Sequence, residues 1–314
     1  MKKILVTGSI AYDTIMVFPD RFRNHLLADQ LHILNVCFLT PEMRREYGGT
    51  AGNIGYNLKL LGEDPIVMAT VGEDIQPYVE RFDKLAIATR RLQRIPGRFT
   101  AQAFITTDLD DNQITAFHPG AMNHSHENHV THELGAGLAV IAPDGKEGML
   151  QHARECAGAE IPFLFDPGQG LPMFSGAEIG EFLRLADYVA VNDYEGRMLE
   201  EKTGRKLEAL AGEVKALVCT LGAKGSVIYA GEQRHQIPSV PADAVVDPTG
   251  CGDAYRAGLL YGIARGWDWP TTGRLGAVMG ALKVAHRGAQ NHGAPRDEIE
   301  SRFRKAFGYS PWKG

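Results

Sequence analysis

The chain has 314 residues, 44% hydrophobic and 23% charged, with 33 Lys and Arg against 38 Asp and Glu for a net charge of −5. That is material for one large domain, or two ordinary ones, with a sizeable core. The slight acidity argues against nucleic acid or an anionic membrane as a partner, so an anionic ligand has to be held by local groups.

From the N-terminus, MKKILVTGS is too short in apolar run for a signal peptide and reads as a first strand. Further short apolar runs at 67–71, 139–142, 163–165, 188–191 and 217–220 end in or near Gly, Asp, Asn or Thr and mostly alternate with helix-like segments. Buried parallel strands have this pattern, because both faces of the sheet are covered. Two regions break it. Residues 12–48 hold short extended pieces and no clear helix. Residues 98–117, RFTAQAFITTDLDDNQITAF, read as a hairpin with a polar turn. The expectation is a single α/β domain over 1–314: a three-layer α/β/α body with a mostly parallel sheet, and a small β lid formed from about 12–48 and 98–120. No stretch approaches membrane-spanning length. Cys37, Cys156, Cys219 and Cys251 form no CxxC pair, which favours a reducing cytoplasm over a disulfide framework or structural zinc.

The most informative stretch is VVDPTGCGDAYRAGLLYG, 245–262. Ala254, Ala257, Gly258 and Tyr261 share a helix face, so the glycines before Asp253 lie at a helix N-terminus, where free N–H groups and the dipole favour an anion. Asp253 at its edge is placed to accept a proton from a hydroxyl attacking a phosphoryl group, or else caps the helix. In YGGTAGNIGYNLKLLG, 47–62, a glycine pair leads into a helix with Ile54, Leu58 and Leu61 on its apolar face, and Asn53 in the first turn has an amide suited to a substrate hydroxyl. Asp13, in GSIAYD, is expected at the C-terminal edge of the first strand, where it would accept two hydroxyl hydrogens of a vicinal diol. VNDYE (191–195) and TLGAKG (220–225) each end a strand. Asn192 and Glu195 suit a magnesium–water and phosphate environment, Gly222 and Gly225 would leave N–H groups for phosphates, and Lys224 would add charge. Each of these alone also reads as ordinary turn chemistry.

Taken together and in order, GSIAYD, GGTAGN, NDYE, TLGAKG, DPTGCGD and GALKVAHRGAQNHGAP resemble the ribokinase-like (PfkB) carbohydrate kinases over nearly the whole chain. The resemblance implies a Rossmann-like body with a β lid, ATP with magnesium, and a stimulating potassium ion. It implies Asp253 as base, with Gly250, Cys251 and Gly252 as the anion hole. It puts Asp13, Gly49 and Asn53 on substrate hydroxyls, and Asn192, Glu195, Thr220, Gly222 and Gly225 facing ATP and magnesium. Asp247, Thr249 and the Gly288 region would suit the monovalent cation. Two departures stand out. Pro248 follows the first Asp of the motif, and Cys251 replaces the usual alanine; Cys251 reads either as a small-residue replacement or as a thiol activated by the helix N-terminus.

Within that family the segment ITAFHPGAM, 114–122, looks most like adenosine or broad nucleoside kinases. A nucleobase needs an aromatic slot, for which Phe104 and Phe117, with Phe99 nearby, are candidates, or else these rings pack the lid against itself. His118 is a candidate substrate neighbour. His124, His126, His129 and His132 read as loop histidines, with a metal site as the other reading. The expected partner is a small-molecule nucleoside or sugar, with the chain a monomer or homodimer. The rivals are a ribokinase- or fructokinase-type sugar kinase, a non-catalytic sensor on the same fold, and an NAD-dependent oxidoreductase; the last would require a G-x-G-x-x-G that GSIAYD lacks.

Overall fold

The structure is a computed structural model that describes residues 3–26, 35–110 and 112–312. The body holds a nine-stranded sheet. In its interior β1 (Lys3–Thr7) is flanked by β4 (Ile66–Val71) and then β5 (Leu92–Arg94) on one side. On the other side follow β8 (Ala136–Ile141), β9 (Phe163–Phe165), β10 (Tyr188–Asn192) and β11 (Ala216–Thr220), all parallel. The hairpin β12 (Ser226–Ala230) and β13 (Gln233–Ile237) closes that edge antiparallel to β11.

Alternation along β1 explains the three layers. Ile4 and Val6 face one core, with Ile54 and Leu58 of α1 (Thr50–Leu60), Tyr78 and Phe82 of α2 (Gln76–Lys84) and Ala257 and Leu260 of α7 (Cys251–Ala264). Leu5 faces the other core, with Met149 and Ala153 of α3 (Lys146–Gly158), Phe182 of α4 (Gly176–Leu185), Leu199 of α5 (Asp193–Thr203) and Leu210 of α6 (Leu207–Ala211). Because both faces are covered, the strand is apolar throughout rather than alternating. A third cluster joins α7 to α8 (Trp269–Val284) and α9 (Arg296–Phe307) through Tyr261, Met279 and Phe303.

The lid is a separate four-stranded sheet in the order β3 (Glu42–Gly48), β2 (Ala11–Val17), β6 (Ala101–Thr107), β7 (Gln113–His118). Its register has a direct consequence for the site. Asp13 pairs with Glu46 and with Ala103, and Ala103 pairs with Phe117, so these four share one face. Phe104 pairs with Thr14 and Ala116, and His118 with Gln102, so both lie on the opposite face.

Candidate active site

The loop before α7 ends at Gly250, in the left-handed region at φ 79°. A Cβ there would lie 2.8 Å from that of Ala289, so only glycine turns this corner. No side chain caps the helix. The N–H of Cys251 already donates to Pro248 O at 3.1 Å, which leaves the next N–H groups, of Gly252 and Asp253, without an intrahelical partner. The free donors at this helix start are therefore the N–H groups of Gly252 and Asp253, with Gly250 making the turn. Burial pushes the Cys251 thiol up to about 11, which argues against a thiol activated by the helix N-terminus. At α1, also led by a positive-φ glycine, the first donors are engaged: the N–H of Thr50 donates to Ser9 Oγ at 3.1 Å and that of Ala51 to Ser9 O at 3.0 Å.

Asp253 stands in the first turn of α7, half-buried. Asn53 Nδ2 donates to its Oδ2 at 2.8 Å. Gln290 Nε2 donates to Asn53 Oδ1 at 3.0 Å and to the Tyr78 hydroxyl at 2.6 Å, and Tyr78 donates to Gly48 O at 2.8 Å. This chain of bonds fixes one carboxylate oxygen and leaves the other to the cleft. One Asn53 N–H is thus placed on the Asp253 carboxylate, and the second is left for another acceptor. Burial pushes Asp253 up to about 7; the Asn53 bond and the Arg256 charge work against this, and the charges of Asp166 and Asp13 add to it.

Asp13 lies in β2, a lid strand, and not at the end of the first body strand. Burial first, and then the charges of Glu46 and Asp247, push it up to about 6. A Cβ on Gly48 would sit 2.5 Å from Asp13 Oδ2, so the missing side chain of Gly48 opens the space over this carboxylate. Gly49 plays a different part. At φ 85°, a Cβ added there would lie 2.5 Å from Ser9 O and from Ala11 N, so it faces backbone rather than the cleft. Phe117 shares the Asp13 face of the lid and is exposed. Phe104 and His118 do not share that face, and His118 lines a shallow hollow on its own side with Phe99, Gly97 and Asn123. Of the loop histidines, His124 pairs with Glu127 and His129 with Glu155, each at 2.7 Å.

Behind Asp253, one helical turn on, Arg256 is 4% exposed and donates to Asp166 Oδ1 at 3.1 Å, with Glu195 Oε2 at 3.8 Å. Burial raises both carboxyls and Arg256 opposes it. Glu195 also closes a capping box: its two oxygens accept the Asn192 N–H and Nδ2, each at 2.8 Å, and Asn192 Oδ1 accepts the Glu195 N–H at 2.8 Å. Each Glu195 oxygen keeps a second lone pair, so the residue fits a water-mediated magnesium ion carried by phosphates. Thr220 ends β11 beside Asn192, its register partner. Gly222 and Lys224 are exposed in the following turn. Gly225 does not hold an N–H free, since it donates to Gly222 O at 3.0 Å. It is glycine because a Cβ would lie 2.0 Å from Ile237 O.

At the residues expected to hold potassium, the Asp247 oxygens are already engaged by protein donors. Asp247 Oδ1 accepts the Thr249 N–H and Oδ2 the Gly288 N–H, both at 2.9 Å, and the Asp247 carbonyl accepts Lys283 Nζ at 2.8 Å. Sequence reasoning passed over Lys283, Gln290, Tyr78, Asp166 and Arg256. Only Arg256 carried a signal, a charge three residues after Asp253 on an otherwise apolar helix.

With this geometry in hand, the comparisons agree. The profile of the pfkB family carbohydrate kinases matches residues 1–296. The chain is 31% identical to a nucleoside kinase of Methanocaldococcus jannaschii over 310 residues, covering 97% of this chain and 98% of that protein. A structure of Burkholderia thailandensis nucleoside kinase in complex with inosine superposes with a TM-score of 0.89 at 52% identity, covering 99% of this chain and 100% of that one. The same enzyme in complex with ADP-inosine gives a TM-score of 0.87 at 52% identity, covering 99% and 98%. The Asp253 carboxylate at an uncapped helix N-terminus, the separate lid and the full-length match lead to one assignment: the chain belongs to the pfkB family of carbohydrate kinases, enzymes that phosphorylate a hydroxyl.

Proposed function

We propose that the chain transfers the γ-phosphoryl group of ATP to the primary, 5′-type hydroxyl of a ribonucleoside, with adenosine and inosine among its substrates. One observation carries the chemistry: a carboxylate poised near neutrality, pinned by Asn53 on one oxygen, beside unpartnered N–H groups at the start of α7. The substrate oxygen forms its bond to the γ-phosphorus while Asp253 takes the hydroxyl proton, and the bond to the bridging oxygen breaks to release ADP. The Gly252 and Asp253 N–H groups stabilise the charge that spreads over the transferred phosphoryl oxygens. Glu195 would be the carboxylate that holds, through water, a magnesium ion bound with ATP, which would supply neutralisation of phosphate charge. Asp13 accepts ribose hydroxyls, and Phe117 stacks on the base. The nucleoside assignment draws on the inosine complexes of the 52% identical enzyme. Among the described residues no helix is long and apolar enough to cross a membrane, and we place the enzyme in the cytoplasm.

The test is ADP release measured in parallel with adenosine, inosine, guanosine, cytidine, ribose and fructose. Nucleosides are expected to exceed the free sugars in kcat/KM. Ribose as the best substrate would replace this reading with a sugar kinase.

A further inference from the structure

We propose that the Lys283 ammonium is the resident cation of the paired loops that carry the anion hole, standing where a potassium ion was expected, so that catalysis needs no added monovalent cation. The proposal rests on the phosphotransfer reading of the site for its activity arm only.

Lys283 is 0% exposed, which is rare for a lysine without a carboxylate partner. Its acceptors are two carbonyl oxygens, Asp247 O at 2.8 Å and His286 O at 2.9 Å. Carbonyl oxygens gathered from two loops are the ligands a hard monovalent cation takes, and a protonated amine has three donors to offer them. One of these carbonyls belongs to the segment that runs straight into Gly250. The other belongs to the turn that leads to Ala289, against which Gly250 packs, and to Gln290, which braces Asn53. The side chain is delivered by the last turn of α8, the helix whose packing partner is α7. A charge at this point therefore ties the base, its brace and the anion hole to one another.

The other polar groups of Asp247 are engaged as well. The Asp247 carboxylate is occupied by the Thr249 and Gly288 N–H groups, and the Asp247 and Val246 N–H groups both donate to Val284 O. Charge is balanced locally, since Asp247 is the acid nearest Lys283. Cys251, His286 and His292 are the other titratable neighbours, and burial holds His292 well below the ordinary histidine value, hence neutral. An added potassium ion would have to share the Asp247 carbonyl with an ammonium already in contact with it, against like-charge repulsion.

The experiment uses the full chain in KCl, NaCl and choline chloride at equal ionic strength. Two readouts are taken, the rate of ADP formation with inosine and MgATP, and the thermal midpoint without substrate. The wild type is expected to show the same rate and midpoint in all three salts. Lys283→Met keeps the length and removes the charge; in choline it is expected to lose about tenfold or more in kcat and to melt lower. Added potassium or ammonium should restore part of both, a rescue that a purely structural lysine would not show. A wild type activated or stabilised specifically by potassium overturns the proposal, and so does a folded Lys283→Met with wild-type rate and midpoint in choline. If Lys283→Met does not fold, the wild-type comparison alone decides. If no substrate is phosphorylated, the kinase reading falls while the melting comparison still decides the cation.

Discussion

Burial, reinforced by the Asp166 charge, raises Asp253 from 3.8 to about 7, so the base is ionised only above that point. As pH falls below about 7, kcat/KM is expected to drop about tenfold per unit. Asp13, pushed up to about 6 in the same cluster, titrates nearby, and the profile of Asp13→Asn separates the two. Asp253→Asn is expected to lose about 10²–10⁴-fold in kcat with little change in KM; retention of half the wild-type rate sinks the assignment. Stability moves the other way. A carboxyl whose folded value is raised favours the fold while protonated, and that contribution is lost as pH rises from about 4 through about 7. The thermal midpoint of Asp253→Asn should therefore exceed the wild type above pH about 7 and converge with it below about 4. Arg256 makes a second residue-scale case. Arg256→Met leaves Asp166 and Glu195 without their counter-charge, and is expected to destabilise by about 3–5 kcal/mol in urea unfolding. It should also move the Asp253 acid limb to higher pH, because Arg256 is one of the groups holding that value down; an unmoved limb would detach Arg256 from the base.

At the scale of elements, the lid register decides which aromatic can meet a base. The spacing of Phe104 and Phe117 suggested a common surface, yet they sit on neighbouring strands with opposite orientation. Phe117→Ala is expected to cost nucleosides about 1–3 kcal/mol in kcat/KM and ribose much less. Phe104→Ala should leave both unchanged. Equal losses for nucleoside and sugar in Phe117→Ala would remove the stacking role. The two glycine-led helices make the same point about neighbours. Both α1 and α7 begin with a positive-φ glycine, but Ser9 takes the first two donors of α1, whereas the Gly252 and Asp253 N–H groups of α7 have no such neighbour.

Across the whole molecule, the two sheets differ in how they are held. β1 is interior, paired on both sides and fully buried after its first residue, whereas β7 is an edge strand of the lid with every residue exposed. Hydrogen exchange is therefore expected to be slowest in β1 and β8, at the level of global unfolding, and fastest in β7. Comparable protection in β7 and β1 would mean that something further covers the lid in solution. A lid of lower local stability is also what a site needs to admit substrate and then exclude water.

The sequence by itself determined six of the nine body strands, the helices after Gly49 and Gly250, the two lid regions and the position of Asp253. These rest on local rules: apolar runs ended by turn residues, helical spacing, and glycine where φ is positive. Tertiary structure decided what depends on partners distant in the chain. Asn53 and Asp253 meet across 200 residues, and Gln290 and Asn53 across 237. Asp13 moved from a strand end to the lid, and His118 to the lid's far face, because pairing register is a property of two strands and not of one. Lys283 looked like one more helix-terminal lysine. Only the fold, by burying it against two carbonyls and no carboxylate, turns it into a fixed charge beneath the anion hole.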